Sequence, residues 1–395
     1  MSLSSGDGHE EQGAPVDRDE RIVAHYNRAR EFSAKGDLDG VIGEFRAACR
    51  LKPDDPLLHK CLGYALRDKH EMNEAIAEFR EALRLDPNDP QSHMELGSTL
   101  AHIVQRTDDL AEAEGEYREA VRLKPDYAEA HFNLGYLRWL AFQAWGAGDI
   151  DAAIAELGEA VRLNPGVPPW HLNLGNALLR KGDVDGAIRE FQEILRLHPD
   201  EPAGHNNLAR ALHEKGDLDG AVREFRELVR LAPGDADAHN NLGAVLKSKG
   251  DLDGAIWEFR EAARLAPNAP EPHKNLAYTL ASKEDLEGFL AEMREIMRLD
   301  PSDPEPHITI GYSLRDKGDT EGAIAEFREA VRLGSNAAHT ELGATLAGVG
   351  RLDEGIAEFC EALRLDPQDD KAQKHLVTAL RLKDERDRTP GGSRH

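Results

Sequence analysis

The sequence predicts an all-α fold, a solenoid of ten helix-turn-helix repeats closed by a capping helix. Three observations predict it. A pattern of 34 residues recurs along most of the 395-residue chain. Within each copy the apolar residues fall three and four apart, the helical spacing, and strand-like alternation is absent. Glycine, aspartate and proline return at fixed places and divide each copy into two helices. A period of this length marks a stacked repeat architecture.

Residues Ala236 to Ala269 read ADAHNNLGAVLKSKGDLDGAIWEFREAARLAPNA and serve as the reference copy, with Ala236 as position 1. Leu242 and Leu246 lie four apart and share one face of the first helix, A. Gly243 between them lets a second helix approach closely. Gly250 suits the left-handed turn that ends helix A, and Asp251 or Asp253 caps the second helix, B. Ile256, Phe259 and Ala262 share one face of helix B. Pro267 stops it, because the residue before a proline is pushed out of helical geometry. One such hairpin leaves its apolar face uncovered, and stacked neighbours cover it.

Leucine at position 7, glycine at 8, leucine at 11, alanine at 20, phenylalanine at 24, alanine at 27 and proline at 32 make the chain resemble the tetratricopeptide repeat (TPR) family. The resemblance implies a right-handed superhelix with an inward-facing groove lined mainly by A helices. One departure is systematic: position 4, often tryptophan in the family, is histidine in every copy.

In order, residues 1–20 are polar and read as a disordered tail. Ten repeats fill 21–369. The first is degenerate, with Arg28 and Ala29 in place of Leu-Gly and Val41 in place of alanine, as suits an end cap. The second carries Leu62, Gly63, Ala75, Phe79, Ala82 and Pro87. Repeats three and four are lengthened, closing at Pro125 and Pro165 after steps of 38 and 40 residues. The extra residues fall between helices A and B, so longer A helices are expected over about 90–165. Repeats five to eight are regular, apart from Phe289 and Met293 in place of alanine and phenylalanine in the eighth. In the ninth, Gly334 and Ser335 replace the Asp-Pro ending. Residues 370–382 read as the capping helix and 383–395 as a second disordered tail.

Composition narrows the function. The net charge of −25 disfavours nucleic acid and anionic membranes. No apolar run approaches the roughly 18 residues of a membrane span, and a signal-peptide pattern is missing from the N-terminus. Cys49, Cys61 and Cys360 show no metal spacing and read as reduced thiols, so a cytoplasmic location and no cofactor or metal are expected. No catalytic motif stands out, and the chain is expected not to be an enzyme.

Histidines recur at position 4: His25, His59, His93, His131, His171, His205, His239, His273, His307 and His339. Metal ligands must converge to about 2 Å from one ion, whereas packed helix axes stay about 8–10 Å apart. The histidines are therefore read as packing residues with a polar tip. Glutamate at position 23 and arginine at position 29 occur in all ten copies, and position 26 is glutamate in nine. These are read as a solvated outer face, with the glutamate of position 26 and the arginine of position 29 paired along the helix.

The inner face carries the binding expectations. Position 6 is asparagine in five consecutive copies: Asn133, Asn173, Asn207, Asn241 and Asn275. This resembles the asparagine ladder in the TPR superhelix of O-linked N-acetylglucosamine transferases and implies binding of extended peptide backbone. An amide both donates and accepts, so it matches a backbone of any sequence. Phe132, Tyr136 and Trp139 form one stripe on helix A of repeat four, flanked by Met94 and Leu172. They are candidates for an anchor pocket, with a private core for the insertions as the alternative. Arg180, Arg210, Lys247, Lys274 and Arg315 give the inner wall a basic balance, so an acidic peptide is expected there. The chain reads as a non-enzymatic protein-interaction scaffold. The rival readings are a substrate-recognition subunit of a separate glycosyltransferase and a self-assembling solenoid, which would be a homo-oligomer.

Overall fold

The computed structural model describes residues 17–103, 107–146 and 148–388. Among them there are 21 helices and no strands. The A helices are α1 (Arg18–Ala34), α3 (Pro56–Asp68), α5 (Pro90–Ile103), α7 (Ala128–Trp145), α9 (Pro168–Lys181), α11 (Pro202–Lys215), α13 (Ala236–Lys249), α15 (Pro270–Ser282), α17 (Glu305–Asp316) and α19 (Asn336–Gly348). The B helices are α2 (Leu38–Leu51), α4 (Met72–Leu85), α6 (Thr107–Leu123), α8 (Ile150–Leu163), α10 (Val184–Leu197), α12 (Leu218–Leu231), α14 (Leu252–Leu265), α16 (Leu286–Leu299), α18 (Thr320–Arg332) and α20 (Leu352–Leu365). The last helix, α21, runs from Asp370 to Arg388. Both α1 and α21 thus reach into segments that the sequence reading assigns to tails; residues 1–16 and 389–395 lie outside the described residues.

The chain divides into two compact units, Met1–Gly204 and His205–His395. In unit 1, α1 pairs with α2 and so on to α9 with α10. In unit 2 the same pairing runs from α13 with α14 to α19 with α20, and α21 covers α20.

Seven of the ten pairs close around glycine at position 8 and a large residue at position 24, with Ala29, Ala209 and Ala277 in place of the glycine in repeats one, six and eight. A Cβ on Gly243 would lie 2.7 Å from the Phe259 ring, and one on Gly175 would lie 2.5 Å from Phe191. The ring therefore rests on bare backbone, and Phe259 and Phe191 are fully buried. Repeat eight meets the same demand differently, with Ala277 opposite the flexible Met293, both buried.

The turns between A and B obey a second rule. Gly250 has φ 88°, the left-handed conformation that L side chains disfavour. Of the two candidate caps, Asp251 is the one used: its carboxylate accepts from Gly254 N–H at 3.0 Å. Asp253 instead pairs with Lys283 of the next repeat. Asp37, Asp183, Asp217, Asp285 and Asp319 cap their helices in the same way.

The insertions differ from expectation in one repeat. α7 is the long A helix foreseen, with 18 residues against the usual 14. In repeat three, however, α5 has the ordinary 14 residues, and the B helix α6 is extended to 17. The added turn therefore joins helix B rather than helix A.

The histidine at position 4 and the glutamate at position 23 meet in all ten repeats. Nδ1 lies 2.6 to 2.8 Å from the carboxylate, from His25–Glu44 to His339–Glu358. The position-23 glutamate is thus not part of a solvated outer face, which corrects the sequence reading. It is turned inward as the partner of a half-buried or buried ring. Nε2 of His59, His93, His131, His171 and His239 also faces the carbonyl of the preceding proline, as in His171 to Pro165 at 3.0 Å. Nε2–H then donates to the carbonyl, and Nδ1 and the carboxylate share one proton between them. The Glu190 bond raises the pKa of His171 against the burial that opposes it. Burial also opposes the charge on His93, but Glu116 and the Pro87 carbonyl outweigh it and raise its pKa. At Glu258, the buried member of the carboxylate series, burial prevails over His239 and the pKa is raised. By contrast, positions 26 and 29 do form the exposed pairs foreseen, for example Glu261 with Arg264 at 2.9 Å.

Candidate functional site

In unit 1 the A helices α3, α5, α7 and α9 surround a cavity of about 750 Å³. Phe132 stacks between two neighbours, with ring centroids 5.2 Å from Trp170 and 5.7 Å from Tyr136. Trp170 is buried, Phe132 is half-buried and Tyr136 is exposed, so the stack runs from core to solvent. Met94 and Asn133 line the same cavity, and the Asn133 amide donates to Met94 Sδ at 3.7 Å. A second cavity of about 440 Å³ adjoins it, sharing Phe132 and Asn133 and reaching Tyr136, Leu137 and Leu140.

Trp139 does not belong to this site. It is only 3% exposed and packs with Ala153 and Leu157 of α8 and Leu174 of α9. It lies on the same stripe as Phe132, but this stretch of α7 is covered by α8 and α9, so its indole joins the core that carries the longer helix. Leu172 is half-buried and lines neither cavity. Trp170, at position 3 of repeat five, is missed by sequence reasoning because it stands outside the stripe; its place in the stack depends on how two repeats pack.

The asparagines are partly committed to neighbours. Asn173 donates to the Pro169 carbonyl of its own helix at 2.8 Å. In unit 2, Asn275 donates to Asn240 Oδ1 at 2.9 Å, across the contact between α13 and α15. Asn207 and Asn241 are half-buried on their A helices. Each amide carries two N–H groups and an acceptor oxygen, so one internal bond leaves capacity for a ligand.

The cations divide into two kinds. Arg315 is not a free groove charge: it pairs with Glu341 at 3.0 Å and lies over the Tyr312 ring at 5.1 Å. Burial opposes the Glu341 charge, but Lys371 and Arg315 hold its pKa below the usual value. Arg67 repeats the motif with Glu95 and Tyr64, and Lys60 pairs with Asp89 at 2.9 Å. Glutamate at position 6 therefore interrupts the asparagine run in order to neutralise an arginine of the preceding repeat. Arg180, Arg210, Lys247 and Lys274 have no ion-pair partner among the described residues.

The three cysteines are free. Burial pushes the Cys49 thiol up to about 12, with Glu78 and Cys61 adding to it. Among the described residues no cluster of metal-ligating side chains exists, and no helix is long and apolar enough to cross a membrane.

A tetratricopeptide repeat model matches residues 143–202, 172–236, 206–270 and 308–370. A second TPR repeat model matches 63–102 and 108–140, and together the two span more than half of the chain. The chain belongs to the tetratricopeptide repeat family. No curated protein sequence matches it. Similar solved structures include YrrB, described as a TPR protein with an unusual peptide-binding site. It is 19% identical, covers 52% of this chain and 97% of its own, and gives a TM-score of 0.44. Yeast Tom70 is 14% identical over 94% of this chain and 97% of its own, with a TM-score of 0.41. Pseudomonas aeruginosa pilF is 21% identical over 56% of this chain and 96% of its own, with a TM-score of 0.45. These overlaps are too loose to bring a partner across to this TPR protein.

Proposed function

We propose that this TPR protein is a non-enzymatic interaction scaffold whose A-helix face binds an extended peptide, with an acidic segment held on unit 2. The observation that carries this reading is the pair of cations Arg210 and Lys247, on α11 and α13 of a chain with net charge −25, neither with an ion-pair partner among the described residues; Lys274 on α15 stands beside Asp300, Asp303 and Glu305. An acidic molecule that leaves two such cations without acid partners presents them to a ligand of opposite charge. Asn207, Asn241 and Asn275 stand on the same helices and supply amides for the peptide backbone. A backbone hydrogen bond is worth about 0.5–1.5 kcal/mol net, so the amides hold and the charges select.

Fluorescence anisotropy with a labelled glutamate-rich peptide tests the reading. The peptide is expected to bind, to weaken as salt rises, and to lose about tenfold or more in affinity on Arg210→Glu plus Lys247→Glu. Binding of a lysine-rich peptide in preference to the acidic one would overturn it.

A further inference from the structure

The cavity of unit 1 has the opposite electrical character. Its titratable lining comprises Asp68, Glu95 and Glu129 against Arg67, together with His70 and His102. Glu95 is committed to Arg67, and His102 Nδ1 lies 2.8 Å from the Ser98 carbonyl. Asp68 and Glu129 are exposed and have no ion pair or side-chain hydrogen bond among the described residues. Two uncommitted carboxylates thus stand at a cavity whose wall includes the Phe132–Trp170 stack and Met94.

We propose that this cavity is the anchor for a cationic side chain, a guanidinium or ammonium group carried by an extended peptide. Three ligand chemistries compete for such a place. An anion is repelled by Asp68 and Glu129. A neutral apolar side chain fills the volume but takes water from two carboxylates and returns nothing. A cation gains the two carboxylates, and its alkyl stem lies on Met94 and the edge of the Phe132 stack. A guanidinium fits best, because its fork of N–H groups can reach more than one carboxylate at once. The inference rests on the reading of the A-helix face as a peptide site and names what this part of it selects.

Carbon-13-labelled methionine methyl groups report on the site. Met72 and Met94 line the cavity, whereas Met293 and Met297 lie on α16 in unit 2 and serve as internal controls. The probes are the N-acetyl amides of arginine, norleucine and glutamate. The arginine amide is expected to shift the Met72 and Met94 signals saturably, with a Kd of about a millimolar, and to leave Met293 and Met297 unmoved. Asp68→Asn plus Glu129→Gln is expected to weaken it about fivefold with an unchanged melting temperature, since both residues are exposed. The proposal falls if norleucine or glutamate amide binds as tightly as arginine, if the double variant binds arginine unchanged, or if no probe moves Met72 and Met94. Because these probes are single residues reading unit 1, such a failure leaves the acidic-peptide result on unit 2 standing, and the converse holds.

Discussion

At the scale of single residues, the fold depends on contacts that a hydrophobicity pattern does not distinguish. Gly243 and Phe259 illustrate this. A methyl group at residue 243 would come within 2.7 Å of a fully buried ring. Gly243→Ala is expected to cost about 1–3 kcal/mol by overpacking, and a denaturant titration checks it; an unchanged midpoint would contradict the tight contact. Trp139 and Tyr136 make the complementary pair. They lie three residues apart on one stripe of α7, yet Trp139 is 3% exposed and Tyr136 is 37% exposed. Trp139→Ala is expected to destabilise by about 3–5 kcal/mol, while Tyr136→Ala stays within about 0.5 kcal/mol. Equal losses in the two variants would mean that the stripe acts as one body. Both stripe members are legible in the sequence as aromatic residues on one helix face. Which of them meets solvent is not, because cover comes from α8 and α9 of the same unit.

At the scale of the helix pair, the histidine at position 4 is a clamp. It joins its own A helix to its own B helix through the position-23 glutamate. At His59, His93, His131, His171 and His239 it also reaches the carbonyl that closes the preceding pair. The folded pKa values of His93 and His171 are raised. A raised value means that the folded state holds the proton more tightly than the unfolded chain does. That contribution is fully present below the ordinary histidine value of about 6.5 and is lost as pH rises through the raised values. The melting temperature is therefore expected to fall as pH rises above about 6.5, and the fall is expected to flatten in His93→Gln plus His171→Gln. Melts that superimpose across this range in the wild type would refute the clamp as a titrating element. The recurrence of both residues in every repeat is visible in the sequence. Their pairing is hidden there, because the glutamate of position 23 sits beside the exposed glutamate–arginine pairs of positions 26 and 29 and groups naturally with them. The joint recurrence of two polar residues in ten copies is the signal that could reveal it.

At the scale of the molecule, each unit is a row of pairs in which a pair contacts only its neighbours. Stability in such an array is a sum of local terms. Phe327→Ala in unit 2 is expected to reduce amide-exchange protection across α17 to α20 and to leave α3 to α6 of unit 1 unchanged. Uniform loss of protection along the chain would show global cooperativity instead. The two units also differ in electrical character. Arg210 and Lys247 on A helices of unit 2 have no ion-pair partner among the described residues, and neither do Asp68 and Glu129 at the cavity of unit 1. Summing formal charge over all inner positions conceals this difference.

From the amino acids alone come the repeat, the number of helix pairs, the glycine and aspartate grammar of the turns, and membership of the TPR family. Those features are local or periodic: each needs only residues within one hairpin, and ten copies make the signal plain. Packing in three dimensions settles which charges remain free, which aromatic side chain is covered, and to which helix an inserted turn belongs. Arg315 counts as a groove cation in the sequence and is cancelled by Glu341 in the next repeat, and Trp170 completes the Phe132 stack from the repeat beyond. Such outcomes depend on side chains meeting across repeats, and no periodicity within a repeat encodes them.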